Sequence, residues 1–192
     1  QPGMGKTHLA RAVAAEAEQR HTGGGVRYRS AESFTNEFMA ALRARKTGEF
    51  KQHYRRGCKL LVVENVQFLA SKSATQLEFF HTVQHVLDAG GRVVLTGDCK
   101  PKDMKELDGN LRSQLASGFL VELEAPDAQV RRAILSAKAA HGGVRIPPEC
   151  LDLLVECVRG SVRDLESVLI QLVTTAALLK HPIDIALTRS AI

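Results

Sequence analysis

Cysteine is scarce in this chain, and the four at positions 58, 99, 150 and 157 make no CxxC pair and no zinc-ribbon spacing. That excludes a disulfide framework or a structural zinc and points to a reducing, cytoplasmic compartment. Long apolar runs are lacking as well. None approaches the roughly 18 residues that span a bilayer, and Gln1 does not open a charged, apolar, small-residue signal sequence, so neither a membrane nor a secreted protein is expected. There is no internal repeat, no low-complexity tract and no Ser/His/Asp or Cys/His nucleophile set. His81 and His85 stand four apart, but no Glu follows His81 and no third ligand is suggested, so packing is expected of them rather than zinc. What is present, in 192 residues at 44% hydrophobic and 24% charged, is enough for one full domain or a large one with a small satellite. The net charge of +5 permits contact with nucleic acid or other anions without naming one.

The chain opens on Gln1-Pro2-Gly3-Met4-Gly5-Lys6-Thr7, a GxxxxGK[ST] phosphate loop whose first glycine would stand immediately before Gln1. The strand that precedes such a loop is missing with it, so the sequence reads as a fragment. A phosphate chain is held efficiently by backbone N–H groups at a helix N-terminus. Gly3 and Gly5 supply the turn, Lys6 a point charge for the β and γ phosphates, and Thr7 a hydroxyl for Mg²⁺. A helix follows over 8–20, closed by His21 to Gly25, then a strand near 26–29. A second helix from Ser30 or Ala31 carries Phe34, Phe38, Met39 and Leu42 on one face and passes into a basic stretch, 43–59, interrupted at Gly48.

Leu60-Leu61-Val62-Val63 is short, branched and apolar, as suits a strand buried on both faces of a parallel sheet. Glu64 and Asn65 stand at its end, where a metal-binding acid and a water-activating carboxylate are needed. An amide takes no proton at neutral pH, so hydrolysis should be slow if Asn65 occupies the base position. A helix over 75–89, through Leu77, Phe80, Val83 and Leu87, and strands at 93–96 and 118–123 follow. From Pro126 everything reads helical, over 127–140, 148–158 and 161–180, with Ser161 and Asp164 placed as a capping box. Cys150 and Cys157 are expected on the buried face of one of these helices. The α/β part is therefore assigned to 1–125 and a small all-helical lid to 126–192.

Pro2 to Leu9, Leu60 to Ala70, Glu78-Phe-Phe-His-Thr82, Leu95-Thr-Gly-Asp98 and Ser161 to Glu166 together resemble the AAA+ domain of the bacterial replication initiator family DnaA over nearly the whole chain. The resemblance implies an AAA+ P-loop core with a parallel sheet and a helical lid. It also implies ATP and Mg²⁺ as ligands, and ATP-dependent self-assembly on origin DNA in the initiation of replication. The nucleotide site would comprise Pro2, Gly3, Met4, Gly5, Lys6, Thr7 and His8. Thr7 and Glu64 would hold the metal, and Asp98 and Arg163 would fall at the two positions that sense the γ-phosphate. Glu64, Asn65, Asp98 and Arg163 are thus the catalytic candidates. An arginine in the first turn of a helix is disfavoured by the dipole and needs a partner. An anion is one candidate for that partner, and Asp164 or Glu166 is the other.

Single-stranded DNA would lie on the helix after the second strand, here Met39, Arg43, Arg45 and Lys46. The family's companion arginine aligns with Ala74, with Lys72 close by. Both Walker B carboxylates are usually Asp in the family, against Glu64 and Asn65 here. Its arginine fingers correspond to Asn110 and Gln114, with only Arg112 nearby. Partners implied are origin DNA, a second copy or another family member, and a replicative helicase. The family's helix-turn-helix reader of duplex DNA lies outside this sequence. A catalytically degenerate adaptor of replication is the alternative reading, and a helicase loader a weaker one.

Overall fold

The run Leu60 to Val63, extended by Glu64, forms the central strand β2 (Leu60–Glu64) of the computed structural model, which describes residues 3–20 and 24–192. Strands β1 (Val26–Ser30) and β3 (Arg92–Leu95) flank it, both parallel, with Val26 and Arg92 opposite Leu60. All of β2 is buried, so its polarity shows no alternation, yet its side chains still point alternately to the two faces. Leu60 and Val62 meet Ala10 and Ala14 of helix α1 (Lys6–Arg20), whose small side chains let the helix lie close to the sheet. Leu61 and Val63 enter a larger core with Phe34, Tyr54 and Phe79.

That larger core is built on α2 (Ala31–Arg43), α3 (Thr47–Arg55) and α4 (Ser73–Asp88). Phe34 sits at its centre, meeting Phe50, Tyr54 and Phe79 edge-on at centroid distances of 4.9–5.3 Å. Such quadrupole-matched pairs add to simple burial. Ser30 caps α2 by accepting from the Ser33 N–H. The helix ends in a left-handed turn at Arg45 (φ 57°), where Lys46 N–H reaches the Ala41 carbonyl and Arg45 N–H the Leu42 carbonyl. The expected interruption at Gly48 is therefore displaced: Gly48 lies inside α3, and the break falls three residues earlier.

The apolar stripe expected on α4 is also corrected. Leu77 and Leu87 are exposed, and the inner face carries Gln76, Glu78, Phe79, Thr82, Val83 and Val86. Two of these are polar and fully engaged. Gln76 donates to the Leu69 and Glu106 carbonyls and accepts from Asp108 N–H, while Glu78 pairs with Arg55 at 2.6 Å and Lys51 at 3.6 Å. A periodicity scan weights such residues as outward-facing, although satisfied hydrogen bonds make them inward. Asp108 in turn caps α5 (Gly109–Ala116).

Residues 118–123 form no strand. Phe119, Leu120 and Val121 are exposed and make no ladder with any described strand, the sheet being ordered β1-β2-β3. Strand propensity becomes a strand only by pairing.

The chain divides into two compact units, one of residues 6–121 and one of residues 122–192 together with the loop as far as Gly5. The second unit contains α6 (Ala128–His141), α7 (Pro148–Cys157), α8 (Val162–Leu179) and α9 (Ile185–Ala191) around Leu135, Cys150, Leu154, Leu165 and Leu172. Asp127 and Asp184 cap α6 and α9, and Ser161 with Asp164 completes a reciprocal capping box on α8. Cys157 is exposed, contrary to expectation. Seven residues return to the same helical face, but Cys157 is the last residue of α7, and the chain leaves the helix with the extended Val158 buried in its place. Among the described residues no helix is long and apolar enough to cross a membrane.

Gln76→Leu removes three hydrogen bonds, one to the carbonyl of buried Leu69 and two to backbone groups of Glu106 and Asp108. We expect a loss on the order of 3 kcal/mol, read as a lower urea midpoint for the α/β unit.

Candidate functional site

Alternation along β2 decides which end residue faces helix α1. Glu64 shares the face of Leu60 and Val62, the face covered by α1, whose first residue is Lys6. Glu64 is 7% exposed, and its Oε1 is buried without a hydrogen-bond partner. An orphaned carboxylate oxygen is costly unless a cation or donor meets it. Tyr28, on the same face of β1, also has a buried hydroxyl without a partner. Burial pushes its pKa up, nearby Glu64 pushes it further, and Arg11 of α1 opposes the shift.

Asn65 follows with φ 58° and ψ 52°, the left-handed region that asparagine tolerates better than most residues. It starts a 3₁₀ turn over Val66–Leu69. The turn is sewn to the end of β3: Asn65 N–H donates to Thr96 Oγ1 at 3.1 Å and Val66 N–H to the Thr96 carbonyl at 2.9 Å. Two residues after Thr96, Asp98 takes Lys6 Nζ on Oδ1 at 2.9 Å and the Gln67 amide on Oδ2 at 2.7 Å. The Walker lysine, the turn after the Walker acid and the loop after β3 are thereby joined through one carboxylate. Thr7 and His8 are exposed in the first turn of α1, which contains no acidic residue.

Pro2 lies outside the described residues, as do 21–23 of the expected helix end. Gly3 (φ 79°) and Gly5 (φ 87°) take the left-handed conformation expected of a phosphate loop, with Met4 between them half-buried. In the helical unit Val162 N–H donates to the Gly3 carbonyl at 3.0 Å. A Cβ on Gly3 would stand 2.7 Å from Ser161 and 3.6 Å from Arg163 Cγ. The carboxylates offered as partners for Arg163 are committed elsewhere, Asp164 to Ser161 N–H and Glu166 to Lys138.

These residues fit a magnesium nucleotide. Among the described residues no group of three or more His, Cys, Asp or Glu could hold a metal by itself. Thr7 and Glu64 would therefore share the ion with phosphate oxygens and water, the environment that Mg²⁺ favours. His81 and His85 are both exposed on α4 and take no part in packing the core, contrary to expectation.

Of the nucleic-acid candidates, Met39 is 39% exposed beside exposed Leu42, Arg43, Arg45 and Lys46. Lys46 pairs with Glu49 at 3.2 Å, and Lys72 Nζ donates to the Phe68 carbonyl. The basic stretch does not form one face, because Arg55 turns inward to Glu78, with the exposed Lys51 at 3.6 Å from the same carboxylate. Asn110 is exposed near the start of α5, whereas Arg112 and Gln114 are half-buried. Gln67, Tyr28 and Thr96 were not picked out by motif reasoning, although Gln67 stands inside the string following the Walker acid.

The family model for the bacterial DnaA ATPase domain matches residues 1–122. The chain is 36% identical over 190 residues to the chromosomal replication initiator protein DnaA of Caldanaerobacter subterraneus subsp. tengcongensis, and 38% identical over 190 residues to that of Deinococcus radiodurans. Each match covers 99% of this chain but only 43% and 41% of those proteins, so the chain spans about two fifths of their length. Among solved structures it resembles domain III of Thermotoga maritima DnaA, with TM-score 0.93 and 28% identity over all of this chain and 80% of that one. It also resembles a DnaA bound to AMPPCP and single-stranded DNA, with TM-score 0.80 and 30% identity over 99% of this chain and 56% of that one. A T. maritima RuvB, 18% identical with TM-score 0.68, shares the fold.

Because Asn65 holds a left-handed turn, Asn65→Val should cost about 1–2 kcal/mol in stability. Asn65→Gly should stay within a few tenths of a kcal/mol of wild type. Thermal melts of the two variants check this.

Proposed function

The chain belongs to the bacterial DnaA ATPase-domain family, and on that premise we propose that it is an ATP-binding AAA+ module acting in the initiation of DNA replication in the cytoplasm. The observation that carries the proposal is the convergence of Lys6, Glu64 and Asp98 at one end of the parallel sheet, with Glu64 Oε1 buried and unpartnered. Gly3, Met4, Gly5, Lys6, Thr7 and His8 bind the phosphates, with Pro2 preceding them. Lys6 exchanges Asp98 for phosphate oxygen when nucleotide enters. Thr7 and Glu64 hold Mg²⁺, which when bound screens the phosphate charge. Asp98 and Arg163 respond to the γ-phosphate. Support for Arg163 comes from its place in the first turn of α8 beside Gly3, with the neighbouring carboxylates already committed.

Hydrolysis in this reading is slow, because Asn65 cannot accept the proton of the attacking water. Self-assembly through arginine fingers is weak, since Asn110 and Gln114 stand at the family's finger positions and Arg112 differs from Gln114 in helical phase. Those three positions favour a second reading, a nucleotide-bound adaptor that works with a family partner or the replicative helicase. Single-stranded DNA is held on the end of α2 and the turn after it by Met39, Arg43, Arg45 and Lys46, with Lys72 adding charge. The similarity to a DnaA seen with AMPPCP and single-stranded DNA supports both ligands. All four cysteines are free, which suits a reducing compartment.

Lys6→Ala should abolish ATP and ADP binding in a fluorescent-nucleotide titration, and retained affinity would overturn the nucleotide reading. Asn65→Asp should raise single-turnover ATP cleavage about 10²-fold or more, the scale of a general base. An unchanged rate would reject the role given to that position. Arg43→Ala with Lys46→Ala should weaken single-stranded DNA binding and flatten its dependence on salt.

A further inference from the structure

Asp98 is 42% exposed at its side chain, so burial alone does not fix where its carboxylate points. Among its partners, Lys6 Nζ meets Oδ1 and Gln67 Nε2 meets Oδ2 from opposite sides. Gln67 must turn its nitrogen toward Asp98, since an ionised carboxylate only accepts. That orientation leaves Gln67 Oε1 buried with no donor, which works against stability. An apolar side chain would fill this position without that cost. The amide is also held on a fixed support. The turn carrying it is bonded through Asn65 and Val66 to Thr96, and Ala70 N–H closes it onto the Gln67 carbonyl. The donor and the loop carrying Asp98 are therefore parts of one bonded assembly at the ends of β2 and β3.

We infer that Gln67 is a positioning residue for Asp98 and so sets how strongly the chain distinguishes ATP from ADP. The inference rests on the reading above, in which Asp98 responds to the γ-phosphate. Lys6 cannot serve Asp98 and a phosphate fully at once, so an arriving triphosphate competes with the carboxylate for the ammonium. Gln67 acts on that competition from the other side. With Oδ2 held, Asp98 keeps its direction when Lys6 turns to phosphate, and its free energy in the triphosphate state stays low. Without the amide, Oδ2 loses its donor on the turn after β2, and the response of the carboxylate to the third phosphate weakens. A nucleotide lacking the γ-phosphate feels little of this, so ADP affinity changes less than ATP affinity.

The test is a double-mutant cycle on nucleotide affinity. ATP and ADP affinities are measured by displacement of a fluorescent nucleotide from the wild type, Gln67→Leu, Asp98→Asn and the double variant, with Gln67→Glu as a second probe that keeps the side-chain shape. Loss of one charge-assisted hydrogen bond should reduce the preference for ATP over ADP about tenfold in Gln67→Leu. Gln67→Glu should reduce it at least as much, because it faces Asp98 with a like charge. In the Asp98→Asn background, Gln67→Leu should change the preference no further. An equal effect in both backgrounds, or ATP and ADP affinities falling together, makes Gln67 a structural residue and overturns the inference alone. A wild-type chain that binds neither nucleotide overturns the inference together with the reading beneath it.

Discussion

Strand β2 is covered by a helix layer on each face and flanked by a parallel strand on each side, with successive residues committed to opposite layers. The pleat then leaves no freedom at its end. If Leu60 and Val62 are to meet the alanines of α1, Glu64 must emerge on the same side, where Lys6 begins that helix. A one-residue slip would bury Glu64 among Phe34 and Phe79 and turn Leu61 and Val63 toward α1. The placement of Glu64 is thus a by-product of core packing. It is stable because moving it means repacking both faces of the sheet.

Polar side chains complete what the apolar core begins. Glu78 sits under α3 and pairs with Arg55 and Lys51, while Glu37 accepts from Tyr54 at 2.6 Å and from Arg29 at 3.0 Å. Burial and the adjacent Glu37 raise the Tyr54 pKa well above its ordinary value, which keeps its proton on the donor side of that bond. Glu78 also shapes the outer surface. It draws the Arg55 guanidinium in from the basic stretch, while Arg43, Arg45 and Lys46 stay exposed beside Met39 and Leu42.

Much of this was legible in the sequence wherever one rule governed the residue. The branched run at 60–63, the glycine-rich loop before Lys6 and the Ser161/Asp164 box each act locally, and each formed as expected. Legibility failed where the outcome depended on a distant partner. The inner face of α4 was misjudged because Gln76 and Glu78 are buried by groups some 20 to 30 residues away, which no helical period reveals. Residues 118–123 have strand composition but no described strand beside them. The helix break moved from Gly48 to Arg45 because a left-handed cap can be taken by a residue other than glycine. Within the site, Lys6 was singled out by the phosphate-loop motif, Glu64 by its place at a strand end and Asp98 by the family resemblance, whereas Gln67 needed coordinates, since it acts through one hydrogen bond across 31 residues.

The first described glycine of the phosphate loop answers to two masters. Its φ of 79° suits the loop, and its missing side chain lets Ser161 approach within 2.7 Å of where a Cβ would stand. A replacement at Gly3 would therefore press on the cap of α8 even with no phosphate nearby. Inactivity in such a variant would be ambiguous evidence: it would register damage to the helical unit as readily as damage to the anion cradle. Lys6 belongs to the α/β unit and pairs there with Asp98, so it is the cleaner place to ask what the loop does.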